Sequence, residues 1–272
     1  SHNPGSLILA GLVGLAALLT VLTLVFIVGY ILIKGIPNLT PELFQLEYNS
    51  ENVSMFPAII NTICMTVLSL LIAGPLGILA AVYLVEYAKK GNKLVSLVRV
   101  TAETLTGIPS IVYGLFGMLF FVTTLHWGYS MLAGAFTLAI MVLPVIMRTT
   151  EEALLSVPDT FREASFGLGA GRLRTIFVVI LPSAVPGIFS GVILSIGRIV
   201  GETAALMYTA GTVAELPKSV MSSTRTLSVH MYSLASEGLY VDQAYATAVV
   251  LLLIVLIINW ISGRIARKIK KG

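Results

Sequence analysis

Residues Thr104–Met147 read TLTGIPSIVYGLFGMLFFVTTLHWGYSMLAGAFTLAIMVLPVIM and contain no Asp, Glu, Lys or Arg. As one helix these 44 residues would measure roughly 66 Å at about 1.5 Å per residue, whereas the hydrocarbon core of a bilayer is about 30 Å thick. The stretch therefore predicts two membrane-spanning helices joined by a hairpin. The expected turn is the segment 126–130, because Trp127 and Tyr129 suit the headgroup layer.

The composition of the whole chain is that of an integral membrane protein. Of its 272 residues, 57% are apolar and 11% are charged, and the mean hydropathy is +0.95. A soluble domain has about a quarter charged residues, so this chain has too few to cover a soluble surface. The lone cysteine, Cys64, has no partner in the chain for a disulfide. We therefore exclude a cytosolic enzyme, a secreted disulfide-stapled domain and a disordered regulator.

Further charge-free stretches predict an all-α polytopic membrane protein with six transmembrane helices. The first stretch is longer than a signal-peptide core and lacks a small-residue cleavage site, so we expect it to be retained as a helix. The expected spans are Ser6–Ile33, Pro57–Val85, Thr101–Leu125, Met131–Met147, Ser183–Ala210 and Ala244–Ile261.

Cationic residues are distributed unevenly between the two sides of this arrangement. Thirteen follow the second, fourth and sixth spans, whereas the other loops hold only Lys34, Lys218 and Arg225. By the positive-inside rule, this asymmetry predicts that both termini are cytoplasmic. It also accounts for the pI of about 9.2, so we expect no nucleic-acid partner. The thirteen are Lys89, Lys90, Lys93, Arg99, Arg148, Arg162, Arg172, Arg174, Arg264, Arg267, Lys268, Lys270 and Lys271.

The longest predicted cytoplasmic loop, Arg148–Pro182, contains a short helix signal. Ser156 and Asp159 have the spacing of a capping box, so a helix should begin there. An apolar stripe follows at i, i+3, i+4 and i+7, and a Gly-x-Gly-x-Gly run then ends the helix. That run does not open a helix and no Walker motif is present in the sequence, so the chain is not itself an ATPase. The stripe is Phe161, Ala164, Ser165 and Leu168, and the glycines are Gly167, Gly169 and Gly171.

Part of this loop resembles the EAA loop of ATP-binding cassette (ABC) importer permeases, whose pattern is Glu-Ala-Ala-x3-Gly-x9-Ile-x-Leu-Pro. Here the pattern reads Glu163-Ala164-Ser165, Gly169 and Val179-Ile180-Leu181-Pro182, with Ser and Val as size-preserving departures. The resemblance implies the type I ABC importer permease fold and a coupling helix that docks on a cytoplasmic ATPase subunit. The alternative is a structural amphipathic turn lying on the membrane. The residues implied in coupling are Phe161, Glu163, Ala164, Ser165 and Gly169.

The fifth predicted span contains two charged residues, Arg198 and Glu202. A charge at the centre of a spanning helix costs about 2.5 to 3.5 kcal/mol on insertion scales, and Arg198 lies about 22 Å into the helix, too deep to snorkel comfortably. At i, i+4 spacing the two side chains would share one face and neutralise each other. Either the pair locks the helix against a neighbour, or the guanidinium forms an anion site whose planar donors match phosphate oxygens.

The same span carries a ridge of small residues at strict i+4 spacing, which lets another helix approach closely and suits a pore-lining helix in an oligomer. The ridge consists of Ser183, Gly187, Gly191 and Ser195. Prolines inside spans permit kinks, either as gating hinges or for packing alone. These are Pro75, Pro109 and Pro144.

The segment Gly197–Leu206, GRIVGETAAL, resembles the corresponding helix of the PstA-type permeases of phosphate-specific ABC importers. So do Gly107–Leu115, GIPSIVYGL, and Arg148–Glu151, RTTE, and the likeness runs from about residue 57 to residue 264. The sister permease of the same importer tends to read Gly-Glu-Thr-Met where this chain has Gly-Glu-Thr-Ala. The resemblance implies that phosphate passes Arg198 and Glu202, and Thr203 is a further candidate beside them.

The resemblance also implies the role of the chain and its partners. We expect a non-catalytic subunit of a bacterial or archaeal plasma-membrane importer, surrounded by lipid and paired with a second homologous permease. Two copies of a cytoplasmic ATP-binding subunit would bind ATP and Mg, and an external phosphate-binding protein would deliver substrate. We expect no cofactor and no metal ligand in this chain. Alternatives are a permease for sulfate, molybdate or phosphonate, the sister permease, and an autonomous channel or membrane scaffold.

The sequence predicts three regions. Residues 1–56 form an N-terminal transmembrane helix and an external loop. Residues 57–264 form the permease domain, with the coupling loop at 149–182, and residues 265–272 form a basic cytoplasmic tail.

Overall fold

The computed structural model describes residues 4–89 and 91–269. Over these residues the chain is helical and has no β-strand. Five helices are long and apolar enough to cross a membrane, and a bent pair makes a sixth if it counts as one span. The all-α polytopic fold is therefore confirmed. Lys90 and the last three residues of the expected basic tail, including Lys270 and Lys271, lie outside the described residues.

The helices, in chain order, include three π-helical turns that continue or precede longer helices. They are α1 (Pro4–Gly35), α2 (Phe56–Val82, continued by a π-turn, Tyr83–Tyr87), α3 (Lys93–Thr106), α4 (Ser110–Gly117, continued by a π-turn, Met118–Thr124), α5 (Met131–Leu155), α6 (Asp159–Gly167), α7 (Arg172–Arg174, followed by a π-turn, Thr175–Ile180), α8 (Leu181–Val200), α9 (Ala204–Met207), α10 (Leu227–Glu237) and α11 (Val241–Ile269). Short 3-10 turns cover Ile36–Asn38 and Pro41–Phe44.

The centre of the bundle is built by α2, α5 and α8, and α4 and α9 pack beside α5. Its core side chains are large and apolar, among them Met65, Leu138, Met141, Ile146 and Ile199. In contrast, α1 packs along α11 and exposes its apolar side chains around nearly its whole circumference. A helix that is apolar on every side and uncovered by protein suits lipid surroundings.

Helix α2 runs the length of the bundle and defines its two ends. Near the start of α2, Thr62 Oγ1 accepts a 2.8 Å hydrogen bond from the backbone N–H of Leu227 in α10. Beyond its other end, Glu86 in the following π-turn contacts Arg162 in α6. We call these the α10 end and the α6 end.

Two of the expected spans are interrupted. The chain bends by 104° between α3 and α4, where Pro109 lacks a backbone donor and restricts the residue before it. The fifth span begins earlier than expected, at α7, and its helix ends at Val200 before the separate α9. The predictions of single helices over Thr101–Leu125 and Ser183–Ala210 were therefore wrong. By contrast, Pro75 and Pro144 lie inside helices that continue past them.

The hairpin expected at segment 126–130 is confirmed. His126 and Gly128 take positive φ values of 56° and 65° and reverse the chain. Ser130 then caps α5, because its Oγ accepts a 3.2 Å hydrogen bond from the N–H of Ala133. The N–H of Ser130 also donates to the carbonyl of Thr209 at 3.0 Å, which fixes the turn to the segment after α9.

Small residues of α8 lie against α5 of the same chain. A Cβ at Gly187 would lie 3.3 Å from Ala153 Cα, and a Cβ at Gly191 would collide with the side chain of Thr149. Ser195 is fully buried, whereas Ser183 is exposed. Two members of the small-residue ridge thus serve an intrachain helix contact.

At the α10 end, His230 is fully buried. Its ring meets that of Tyr48 edge-on, with 6.2 Å between the centroids and 87° between the planes. Burial, and then the charge of Arg225, lower the pKa of His230 to about 3. The imidazole is therefore neutral at pH 7, and protonating it would place a second cation beside Arg225.

The close contact between α5 and α8 predicts that a methyl group added to α8 at Gly191 destabilises the protein more than one added at an uncrowded glycine. Gly191→Ala should lower the free energy of unfolding by about 1 to 3 kcal/mol, because the new Cβ overpacks against Thr149. Gly74→Ala in α2 is the matched control, since a Cβ there has no neighbour within 4 Å. Thermal melts of the two purified variants measure the difference, and equal melting temperatures would contradict the close contact.

The neutral state of His230 predicts acid-sensitive stability. Because the pKa is about 3 in the folded state and about 6.5 in an unfolded chain, only the unfolded chain binds the proton between these values. Stability is thus complete above pH 6.5 and falls by about 1.4 kcal/mol per pH unit as the pH drops toward 3.

Melting temperatures between pH 7.5 and pH 5 test this, with His230→Gln and, as a control, His126→Gln at an exposed histidine. We expect a flatter pH profile for His230→Gln alone. Parallel profiles for all three proteins would show that His230 does not carry the dependence.

Candidate functional site

Arg198 lies in the last turn of α8 and is partly buried. A cation at this position is favoured by the negative end of the helix dipole. The guanidinium is close enough to Tyr113 of α4 for an electrostatic interaction, and Tyr113 donates a 2.7 Å hydrogen bond to the carbonyl of Leu105 in α3. Arg198 forms none of the ion pairs found over the described residues.

Glu202 is not the partner of Arg198 that the sequence suggested. Because α8 ends at Val200, the i, i+4 geometry does not extend to Glu202, and the expected pairing was wrong for this physical reason. The Glu202 side chain is buried, and its Oε1 accepts a 3.0 Å hydrogen bond from the N–H of Ala205 in α9. Its backbone carbonyl accepts a 2.6 Å bond from Ser228 Oγ in α10. The Glu202 carboxylate thus stabilises the break between α8 and α9. It forms no ion pair with the guanidinium of Arg198 in the described residues.

The second interrupted span packs directly on this break. A Cβ at Gly114 of α4 would lie 2.8 Å from Ala205 Cα in α9, so the backbones of α4 and α9 are in direct contact. Gly117, one turn further along, would collide with Thr137 and Thr209 if it carried a Cβ. Interrupted helices that meet inside a membrane protein are found where backbone lines a cavity or path. The structure brings Arg198, Tyr113 and Glu202 to the place where the end of α8 and the short α9 meet the bent pair α3–α4.

Thr203 lies at the same break but lines a different space. With residues of α1, α10 and α11, it lines a mostly apolar groove of about 440 Å³ that does not include Arg198. Its hydroxyl lies 3.5 Å from the carbonyl oxygen of Gly201.

The loop helix α6 is closed by a Schellman motif. Gly169 takes a φ of +83°, a left-handed conformation that glycine adopts without strain. Its N–H donates to the carbonyl of Phe166 at 2.9 Å, and the N–H of Ala170 donates to that of Ser165 at 3.1 Å. Gly169 is thus the helix stop expected from the sequence.

The start of α6 and its apolar face differ from the sequence expectations. The helix begins at Asp159 after Pro158, and Ser156 Oγ bonds back to Ala153 in α5, so the capping-box prediction was wrong. Ser165 points inward and shares a 2.8 Å hydrogen bond with Thr175 Oγ1. Several side chains around α6 remain exposed: Phe161, Glu163, Ala164, Phe166 and Leu168.

Sequence reasoning missed the ion pair that holds α6 in place. Arg162 Nη2 lies 2.6 Å from Glu86 Oε1, and Arg162 Nε also donates to this carboxylate at 3.2 Å. The same guanidinium donates to the carbonyls of Leu154 and Val157 and to Asp159. The hydrogen bonds from Arg162 to Glu86 raise the pKa of Arg162 above its ordinary value. The partners are far apart in sequence, so no local spacing indicated the pair.

The RTTE segment joins α5 to two neighbouring helices. Glu151 forms a 2.6 Å ion pair with Arg99 of α3, and Arg148 reaches Glu103 of α3 at 3.6 Å. Thr149 faces the close contact with Gly191 on α8. The segment therefore fixes α3 and α8 around α5 near the α6 end.

Comparison with known proteins gives this arrangement a family. The family model for the "Binding-protein-dependent transport system inner membrane component" matches residues 73–271. The probable ABC transporter permease protein YqgI of Bacillus subtilis is 34% identical over 281 residues, with 95% of each chain covered. The phosphate transport system permease protein PstA of Pasteurella multocida is 37% identical over 240 residues, covering 87% of this chain and 85% of that protein.

Solved structures agree on the fold. A bacterial alginate ABC transporter aligns with a TM-score of 0.68 at 20% identity, over 97% of both chains. The MetNI methionine ABC transporter in an inward-facing conformation aligns with a TM-score of 0.62 at 22% identity, over 79% of this chain and 94% of that chain. At these identities the likeness concerns the fold alone, which is that of type I ABC importer permeases.

Proteins of this family are non-catalytic, multi-pass subunits of the inner membrane, and the family implies an ATPase and a substrate-binding protein as partners. The resemblance indicated by the EAA-like loop and the GRIVGETAAL segment is thereby confirmed. The chain belongs to the binding-protein-dependent transport system inner membrane components, and within them to the PstA-type ABC permeases.

Proposed function

We propose that this chain is a transmembrane permease subunit of an ATP-driven importer of inorganic phosphate and forms half of its translocation path. The observation that carries the proposal is Arg198, a guanidinium that forms no ion pair over the described residues and lies at the end of α8, beside Tyr113 of the bent pair α3–α4. Such a group is costly to hold among apolar helices unless an anion uses it. Relatives named as phosphate transport system permease proteins support phosphate as that anion.

The substrate path in this proposal is shared with a second, homologous permease. Arg198 would contact phosphate as it passes, with Glu202 holding the backbone of the break and Thr203 lining the neighbouring groove. An external phosphate-binding protein would deliver substrate at the α10 end, which makes the α6 end and both termini cytoplasmic. Residues 57–264 would form the permease domain, preceded by the helix and external loop of 1–56 and followed by the basic tail of 265–272.

Energy would enter through the loop 149–182 from two copies of a cytoplasmic ATP-binding subunit. The exposed Phe161, together with Glu163 and Ala164, would contact that subunit. Ser165 would hold the loop through its hydrogen bond to Thr175, and Gly169 would end α6. Arg162 joins α6 to the end of α2 through Glu86, and both side chains are largely buried, at 16% and 9% exposure. A push on α6 would therefore move α2 rather than swing the loop alone.

Another oxyanion is the main rival substrate, because a guanidinium recognises charge and oxygen geometry rather than the central atom. Uptake of labelled phosphate in the presence of excess sulfate, molybdate or a phosphonate separates these cases. A phosphate importer keeps its rate under this competition, and inhibition by one of these anions would identify the alternative substrate.

Removal of the Arg198 charge should abolish transport. In reconstituted importer, Arg198→Gln should lower phosphate uptake at least about a hundredfold while the complex still assembles, because the low-dielectric path loses a charge-assisted contact. Arg264→Gln is the control, since that guanidinium stacks on Trp260 of α11, 4.5 Å from the ring centroid. Normal uptake by Arg198→Gln would remove Arg198 from the mechanism.

Breaking the Arg162–Glu86 pair should uncouple ATP hydrolysis from transport. Arg162→Gln leaves Glu86 buried without its cation, which costs about 3 to 5 kcal/mol for a buried pair. We expect phosphate moved per ATP hydrolysed to fall at least about tenfold, with a smaller fall for Glu86→Gln, whose amide oxygen still accepts a bond.

The matched control is Arg174→Gln, on an exposed arginine of the same loop. Hydrolysis and uptake are measured on the same vesicles. An unchanged ratio in Arg162→Gln, or an equal fall in Arg174→Gln, would contradict a specific role for the pair.

A further inference from the structure

The α10 end contains a buried guanidinium with unused donors. Arg225 is 5% exposed, and its Nε and Nη2 are buried without a hydrogen-bond partner among the described residues. The guanidinium lies over the ring of Tyr48, 4.9 Å from the centroid. Arg225 takes part in none of the ion pairs of the described residues. Burying such a charge without acceptors is costly, so the donors point to a ligand.

Asn61 of α2 adds an acceptor of fixed orientation. Its Nδ2 donates to the carbonyl of Arg225 at 3.2 Å and contacts that of Glu215 at 3.5 Å, which assigns the amide nitrogen to this side. Its Oδ1 is buried and has no donor. Thr224 Oγ1 is likewise buried without a partner, while the backbone N–H of Thr224 is held by Ala210. Thr224 precedes Arg225 in the chain and Asn61 bonds to the Arg225 backbone, so charged donors, one acceptor-only oxygen and one hydroxyl belong to the same small group of residues, which we call the cluster.

This combination selects a chemical class of ligand. Oxyanion oxygens satisfy the guanidinium, whereas Asn61 Oδ1 needs a ligand that also carries an O–H. Inorganic phosphate and arsenate hold at least one proton at neutral pH, but sulfate holds none. Because His230 is neutral at pH 7, Arg225 supplies the positive charge of the cluster.

An outer cavity and the guanidinium of Arg225 share one neighbouring side chain, that of Tyr48. Tyr48 covers both Arg225 and His230, and it also lines a cavity of about 440 Å³ with Leu46, Leu216 and two acids. The acids, Glu47 and Glu215, disfavour a dianion more than a monoanion, which agrees with a protonated ligand. Ser228, three residues after Arg225, bonds to the carbonyl of Glu202 and so links this segment to the break after α8.

We propose that Arg225, Asn61 and Thr224 form an entry site for a protonated inorganic oxyanion, with Tyr48 as its lid. The site precedes Arg198 on the path from the α10 end. This inference rests on the proposed function, and it names a step of recognition separate from that of the external binding protein.

The test uses the assembled importer in lipid nanodiscs without the binding protein, and labelled inorganic phosphate as the probe. In the Arg198→Gln background, the entry site is the remaining anion site of the proposed path. We expect phosphate binding to persist there and to weaken at least about tenfold when Arg225→Met is added. Arsenate should displace the label, and sulfate should not. Lys218→Met, an exposed cation on the same loop, should leave binding unchanged.

Thr224→Val provides a second variant that keeps side-chain shape, should Arg225→Met fail to assemble, and we expect binding several-fold weaker. Absent binding in the Arg198→Gln background, unchanged binding on loss of Arg225 or Thr224, or an equal loss in Lys218→Met would overturn the entry site. Displacement by sulfate would overturn its chemistry. If the wild-type importer transports phosphate in any of these cases, the proposed function stands, whereas transport of another oxyanion alone would refute that function.

Discussion

A positive charge with no counterion among the described residues, held at the end of α8 beside the bent pair α3–α4, is the constraint on which the rest of this structure depends. Arg198 has the end of the α8 dipole and Tyr113 nearby, but the carboxylate of Glu202 is committed to the start of α9. If Glu202 neutralised the guanidinium, the site would be satisfied when empty and would bind an anion poorly. The end of α8 at Val200 is what separates the two charges.

The sequence was sufficient for the spans because the bilayer penalises every charge it has to cover, which leaves long charge-free stretches. It was also sufficient for the end of α6, since the left-handed position at Gly169 is a local requirement. The breaks after Thr106 and Val200 were not predicted, because proline and glycine inside a span permit a bend without requiring it. The assumption of one continuous helix then produced the false pairing of Arg198 with Glu202.

Other features depend on contacts between distant segments. The Arg162–Glu86 pair joins residues that are 76 positions apart, so no local pattern shows it. Helix α10 lies in a segment rich in Ser and Thr, residues that are mostly exposed in proteins, yet His230 and Leu227 on it are fully buried. A buried ion pair such as that of Arg162 contributes little net stability compared with an apolar contact, but it fixes one geometry. That property suits a part that must transmit displacement.

The π-turns allow the adjoining helices to change length without losing their helical structure. One, Tyr83–Tyr87, contains the carboxylate that anchors α6, and another, Thr175–Ile180, connects α7 to α8. A turn of this kind holds one more residue than an α-helical turn, so a slip of its backbone bonds from i→i+5 to i→i+4 advances the adjoining span by about 1.5 Å and rotates it by about 100°. Two spans can therefore shift and rotate while the backbone bonds of the π-turns re-form within the helix.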